Sequence, residues 1–181
     1  EILRCLVGSE MCIRDRFLPS ALNKIYRKTF LTDNLLTFPE HIFFEDQPFS
    51  YSCTLAANRV VCVPQVVYHH YKRSGSIVQS FNQKNIDDMM TAYKMIKEYL
   101  QKNNIYKKFR FNYYSSLQHF YNLIVRQIFE FVPDEKSKKE YLKYSFIRLK
   151  EVIDIDEYID FLSSEELRKH IQPNITDTTI Y

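Results

Sequence analysis

The residues able to do chemistry crowd into four short stretches: Asn23-Lys24, Glu45-Asp46, His69-His70 and Lys72-Arg73-Ser74-Gly75-Ser76. A carboxylate at the start of a helix can take a proton from an attacking group, or it can simply cap that helix. Arg73, Ser74 and Ser76 around Gly75 make a turn suited to an anion, with Lys72 in support. An ordinary basic hairpin turn would read the same way. His69 and His70 alternate faces on a strand, so at most one of them points into a shared cleft. A contact to metal or anion, assigned to His70, competes with a plain core or surface role. Asn23 and Lys24 read as loop residues at the edge of a cleft, and Lys24 equally as a solvated charge.

The elements that must position these residues fall into two regions that meet near residue 82. In the first, the run Lys28–Asn34 is helix-like, Pro39 breaks it, and Ile42–Phe44 form a short apolar run. The stretch QPFSYSCTLAANR reads as a helix with Asp46 at its N-cap and Pro48 in its first turn. Phe49, Cys53, Ala56 and Ala57 recur in it at helical spacing. The stretch RVVCVPQVVYHHYKR reads as two β-branched strands around Pro64, closed by the Gly75 turn. Everything after about Asn85 reads as helix. One helix carries Met89, Ala92, Tyr93, Ile96 and Leu100 as its stripe. A longer one, about Tyr106 to Val132, carries Phe109, Tyr113, Leu117, Phe120, Leu123, Ile124 and Ile128. Further helices are expected at about Glu135–Val152, Ile155–Phe161 and Ser164–His170, before a frayed tail beyond Pro173.

Five pieces occur in a fixed order: NKIYR at Asn23–Arg27, FP at Phe38-Pro39, FED at Phe44–Asp46, YHHY at Tyr68–Tyr71 and RSGSI at Arg73–Ile77. Their order resembles the C-terminal half of bacterial family 2 glycosyltransferases of the cell-surface type. The resemblance implies a fold class of α+β. Residues 17–82 would be the truncated C-terminal half of a glycosyltransferase A-type α/β domain, and residues 83–181 an all-helical region. It also implies inverting transfer of a sugar from a nucleotide-sugar donor to a cell-surface glycan or lipid-linked acceptor. An acceptor hydroxyl is a poor nucleophile, so a carboxylate must take its proton. That role falls to Asp46, with Glu45 as support or acceptor contact. A helix N-terminus works against it, because it lowers a carboxylate's pKa and weakens the base. Arg73, Ser74, Ser76, Lys72 and His70 would then face the departing diphosphate or the acceptor, and Asn23 and Lys24 the cleft.

The resemblance also calls for an upstream nucleotide-binding half ending in an Asp-rich motif that holds Mg²⁺ or Mn²⁺. No Asp-rich cluster preceded by a strand, GxGxxG or P-loop occurs here, so the resemblance assigns the metal to a full-length parent. This chain alone is expected to bind none and to be inactive. The first sixteen residues bear on this. Leu6–Arg16, LVGSEMCIRDR, resembles the translated transposon-end adapter of tagmentation sequencing libraries, and Glu1, Ile2 and Cys5 fit its upstream codons. Glu1–Arg16 is therefore set aside as non-native. Of the four cysteines and two glycines, this leaves Cys53, Cys62 and Gly75. Two cysteines suggest reduced thiols, not a disulfide framework.

Composition narrows the partners. A formal charge of +3 is too mild to argue for nucleic acid, and no apolar run reaches the roughly 18 residues of a membrane span. Fourteen Tyr and fourteen Phe supply material for a core. The basic-aromatic run Tyr106–Phe111 and the pair Tyr113-Tyr114 suit either a solvated amphipathic helix or peripheral docking on a membrane or lipid-linked acceptor. The expected location is the cytoplasm, at the inner face of a bacterial membrane. The competing class is a non-catalytic helical interaction module.

Overall fold

The computed structural model describes residues 20–61, 69, 71 and 80–164. A single 3-10 turn, Ala21–Asn23, precedes helices α1 (Lys28–Asp33), α2 (Asp46–Ala56), α3 (Gln83–Lys102), α4 (Tyr106–Phe131), α5 (Glu135–Leu149) and α6 (Ile155–Ser163). Helix α3 is the hub: α2, α4 and α5 all pack on it, and α6 packs on α4.

Helix α3 starts where its sequence can satisfy the first free amides. Asn82 Oδ1 accepts the Lys84 N–H at 2.9 Å and Asn85 Oδ1 accepts the Asn82 N–H at 2.9 Å, a reciprocal cap built from two asparagines. Ile86, Met89, Met90, Tyr93, Ile96 and Leu100 then recur on one face and are all buried. They meet Tyr113, Tyr114, Leu117, Ile124 and Ile128 of α4 in one core, which Leu149, Val152 and Phe161 close from the far side. Each fully buried aliphatic side chain there contributes about 1.5–3 kcal/mol of transfer free energy.

Tyrosine can share this core only if its hydroxyl finds a partner. Tyr93 Oη lies 2.6 Å from Ser116 Oγ, and the Tyr113 hydroxyl donates to the Val152 carbonyl at 3.1 Å. Phe44, Tyr51 and Leu55 pack against the same core, so residues on both sides of position 82 share it.

The expected α+β architecture is overturned, because every regular element among the described residues is helical. Most of the stretch read as strands lies outside the described residues; Val60, Val61, His69 and Tyr71 are described and carry no regular structure. The short apolar run Ile42–Phe44 is a turn with a physical cause. His41 and Phe44 both have positive φ, 64° and 62°, which an extended strand does not allow. The Phe43 N–H between them goes to the Asp88 carboxylate at 2.7 Å, leaving that donor unavailable to a strand ladder. The helices α3, α4, α5 and α6 stand close to their expected spans. The one expected at Ser164–His170 falls, after Ser164, outside the described residues.

Candidate functional site

Two of the four polar stretches come together. Ser20 opens the 3-10 turn, its Oγ accepting the Leu22 N–H at 3.3 Å, and its carbonyl accepts a hydrogen bond from Lys24 Nζ at 2.7 Å. This turn packs on α2. Lys24 is thereby brought near enough to Asp46 for their opposite charges to couple. The side chain of Asn23 falls outside the described features.

Aromatic packing holds this arrangement. Phe49, buried on the first turn of α2, stacks on Phe38 with ring centroids 3.8 Å apart and takes the edge of Tyr26 at 5.3 Å. Tyr26 belongs to the NKIYR piece and Phe38 to the FP piece. Both therefore dock on the helix that the FED piece opens, which gives three separated sequence pieces one structural purpose. Beneath them the Tyr26 hydroxyl and Ser50 Oγ are buried and face each other without closing a hydrogen bond.

Asp46 is the first residue of α2, one position inside the expected N-cap; Glu45 holds the cap position and its side chain caps nothing. Burial pushes the Asp46 carboxyl above its ordinary pKa, and the neighbouring Glu45 carboxylate adds to this. The backbone N–H groups of Asp46 and Gln47 and the charge of Lys24 pull the other way without cancelling it. Desolvation thus outweighs the helix N-terminus, which works against the base by lowering its pKa. Burial lowers the Lys24 pKa in turn, against the pull of Asp46. A half-buried carboxylate with a raised pKa beside a lysine is suited to accept a proton.

Of the other expected residues, His70, Lys72, Arg73, Ser74 and Ser76 lie outside the described residues. His69 is described and exposed. Among the described residues no three His, Cys, Asp or Glu side chains converge on a metal position. The Mg²⁺ or Mn²⁺ that the resemblance implies was expected in a longer parent and not at these residues.

The basic-aromatic run opens α4, with Tyr106, Phe109 and Phe111 partly buried and Lys107, Lys108 and Arg110 exposed. Lys107, Lys108, Arg110 and Phe111 line a shallow cleft with Glu157, Asp160 and Phe161 of α6. The Glu157 carboxylate accepts hydrogen bonds from the hydroxyls of Tyr106 at 2.6 Å and Tyr114 at 3.1 Å and from Arg110 at 3.4 Å. Among the described residues no helix is long and apolar enough to cross a membrane.

Sequence reasoning missed Lys84 and Asp88. Their spacing advertises an ion pair on one helix face, and they form one at 2.6 Å. Nothing in the sequence shows that they also reach back some forty residues to the turn before Glu45.

No protein-family model matches the chain, and no solved structure matches it. Among curated proteins it is similar to one from Bacillus subtilis (strain 168) named "Putative glycosyltransferase EpsH", with 32% identity over 93 residues. The match takes in 49% of this chain and 26% of that protein, so the chain spans about a quarter of its relative's length. The similarity ties the chain, at the level of class, to a protein named as a glycosyltransferase.

Proposed function

We propose that this chain carries the acceptor-side catalytic segment of an inverting, family 2 nucleotide-sugar glycosyltransferase, with Asp46 as its general base. The observation that supports this most is the convergence of Lys24, Glu45 and Asp46 through the docking of Tyr26 and Phe38 on Phe49. In the reaction an acceptor hydroxyl attacks the anomeric carbon and gives its proton to the Asp46 carboxylate. The bond from that carbon to the donor diphosphate breaks, and the nucleoside diphosphate leaves. Lys24 holds Asp46 ionised against its burial until the proton arrives. Glu45, exposed beside it, contacts the acceptor, a cell-surface glycan or lipid-linked sugar at the cytoplasmic face of a membrane. Donor and divalent metal are held by parts of a longer parent, so the activity belongs to that parent and the present chain alone is inactive.

The test is transfer of a labelled sugar by a parent extended to its relative's length. Asp46→Asn should lower kcat by about 10²–10⁴-fold and leave the KM for the donor nearly unchanged. Transfer by the Asn variant at the original rate would remove Asp46 from the chemistry. One observation favours a second reading, a helical interaction module. Ile155, Ile159 and Leu162 form an exposed stripe on α6, 54%, 55% and 44% accessible. A parent that neither binds a nucleotide sugar nor hydrolyses one would favour the module.

A further inference from the structure

We infer that Asp88 and Lys84, on the first turns of α3, are positioning residues for the Glu45-Asp46 turn. The helical region would then hold the candidate base in place. The inference rests on the reading of Asp46 as the base.

The turn cannot hold its shape unaided. His41 and Phe44 occupy the left-handed region at φ 64° and 62°, each at a cost of about 1–2 kcal/mol for an L-residue. Such conformations persist only where the surroundings over-determine them. No glycine relieves them, although Phe44 directly precedes Glu45 and Asp46.

Helix α3 supplies the restraint. Asp88, only 7% exposed, accepts the Phe43 N–H at 2.7 Å. Its carboxylate is neutralised by Lys84 Nζ at 2.6 Å. The same ammonium donates to the His41 carbonyl at 3.0 Å and lies 4.8 Å from the centroid of the Phe43 ring. One ion pair, its carboxylate buried and its ammonium half-exposed, therefore holds the His41 carbonyl, the Phe43 N–H and the Phe43 ring between the two strained residues. The Gln47 N–H then closes the turn into α2 on the Phe44 carbonyl at 3.0 Å. A charged hydrogen bond of this kind is stronger than a neutral one. Removing Lys84 leaves the buried Asp88 carboxylate without its counter-charge.

The test uses the intact 181-residue chain and needs no sugar transfer, so its result is independent of the catalytic reading. Amide exchange and a carbon-detected carboxyl titration are followed by NMR in Asp88→Asn, Lys84→Met and Lys84→Arg. In Asp88→Asn the Phe43 amide should exchange about tenfold faster or more. The Asp46 titration should move down toward the ordinary carboxylate range as the turn loosens and water enters. The amides of Tyr93 and Leu117 should keep their protection. Lys84→Met, at a half-exposed position that the core does not need, should shift Asp46 in the same direction, and Lys84→Arg should restore it. An Asp46 titration that stays put in both Lys84→Met and a folded Asp88→Asn overturns the proposal. If Asp88→Asn unfolds, the two lysine variants decide it alone.

Discussion

Asp46 carries two loads that pull against each other. Folding would be easier with a neutral side chain there, since burial and Glu45 both disfavour its charge. A group whose folded pKa lies above its unfolded value stabilises the fold most at low pH. That advantage is lost as pH rises through the folded pKa. Asp46→Asn should therefore raise the thermal midpoint at pH 7 while leaving it nearly unchanged below pH 3. Thermal unfolding followed by circular dichroism at the two pH values checks this; a loss of stability at pH 7 would mean that the Lys24 attraction outweighs burial. The position of Asp46 was legible in the sequence because a carboxylate pair followed by proline marks a helix start. Its raised pKa was not, because burial comes from Tyr26, Phe38 and Phe49 meeting across stretches whose folding together no local pattern reveals.

Helices α3 and α4 were readable because their apolar residues repeat at helical spacing over many turns, and packing asks for the same face that periodicity marks. The turn at His41–Phe44 was not readable. Two aromatic residues and an isoleucine look extended until a side chain 45 positions away takes the central amide. A related economy appears where helices end. At the end of α1 the Leu35 N–H bonds to the Thr32 carbonyl at 3.2 Å and the Leu36 N–H to the Leu31 carbonyl at 2.9 Å. Leu35 sits between them at φ 53°. The end of α3 repeats the pattern with Asn104 at φ 57°. This is the cap that glycine normally serves, here made by asparagine and leucine. Leu35 is 87% exposed, so its side chain contributes almost no packing. Leu35→Gly should thus stabilise the protein by about 0.5–1 kcal/mol, strain relief exceeding the added chain entropy. Chemical denaturation would read this as a higher midpoint at unchanged slope, and a lower midpoint would show that entropy wins.

For the molecule as a whole, a pH-sensitive seam lies between α4 and α6. Burial alone would raise the Glu157 pKa, but the hydroxyls of Tyr106 and Tyr114 and the Arg110 guanidinium outweigh it and hold the group below its ordinary value. The stability this adds is present above the unfolded carboxylate value of about 4.5 and is lost as pH falls through the lower folded one. Acidification through that window should loosen α6 first, with near-ultraviolet tyrosine dichroism fading before the helical signal. Glu157→Gln should abolish that early step and cost about 1–2 kcal/mol at pH 7, the charged hydrogen bonds discounted for partial exposure. Simultaneous loss of both signals in the parent chain would show that α6 and the core unfold as one.

The grip of Asp88 on the Phe43 amide also bears on ancestry and recombination. A gene exchanged at the apparent seam near residue 82 would keep every residue of the FED piece and still deliver a misfitted one, unless its new helix brought a carboxylate and lysine in the same register. Natural relatives that have exchanged helical tails at this border should then still carry a lysine and a carboxylate in the Lys84–Asp88 register, since it is their contacts to His41 and Phe43 that straddle the border.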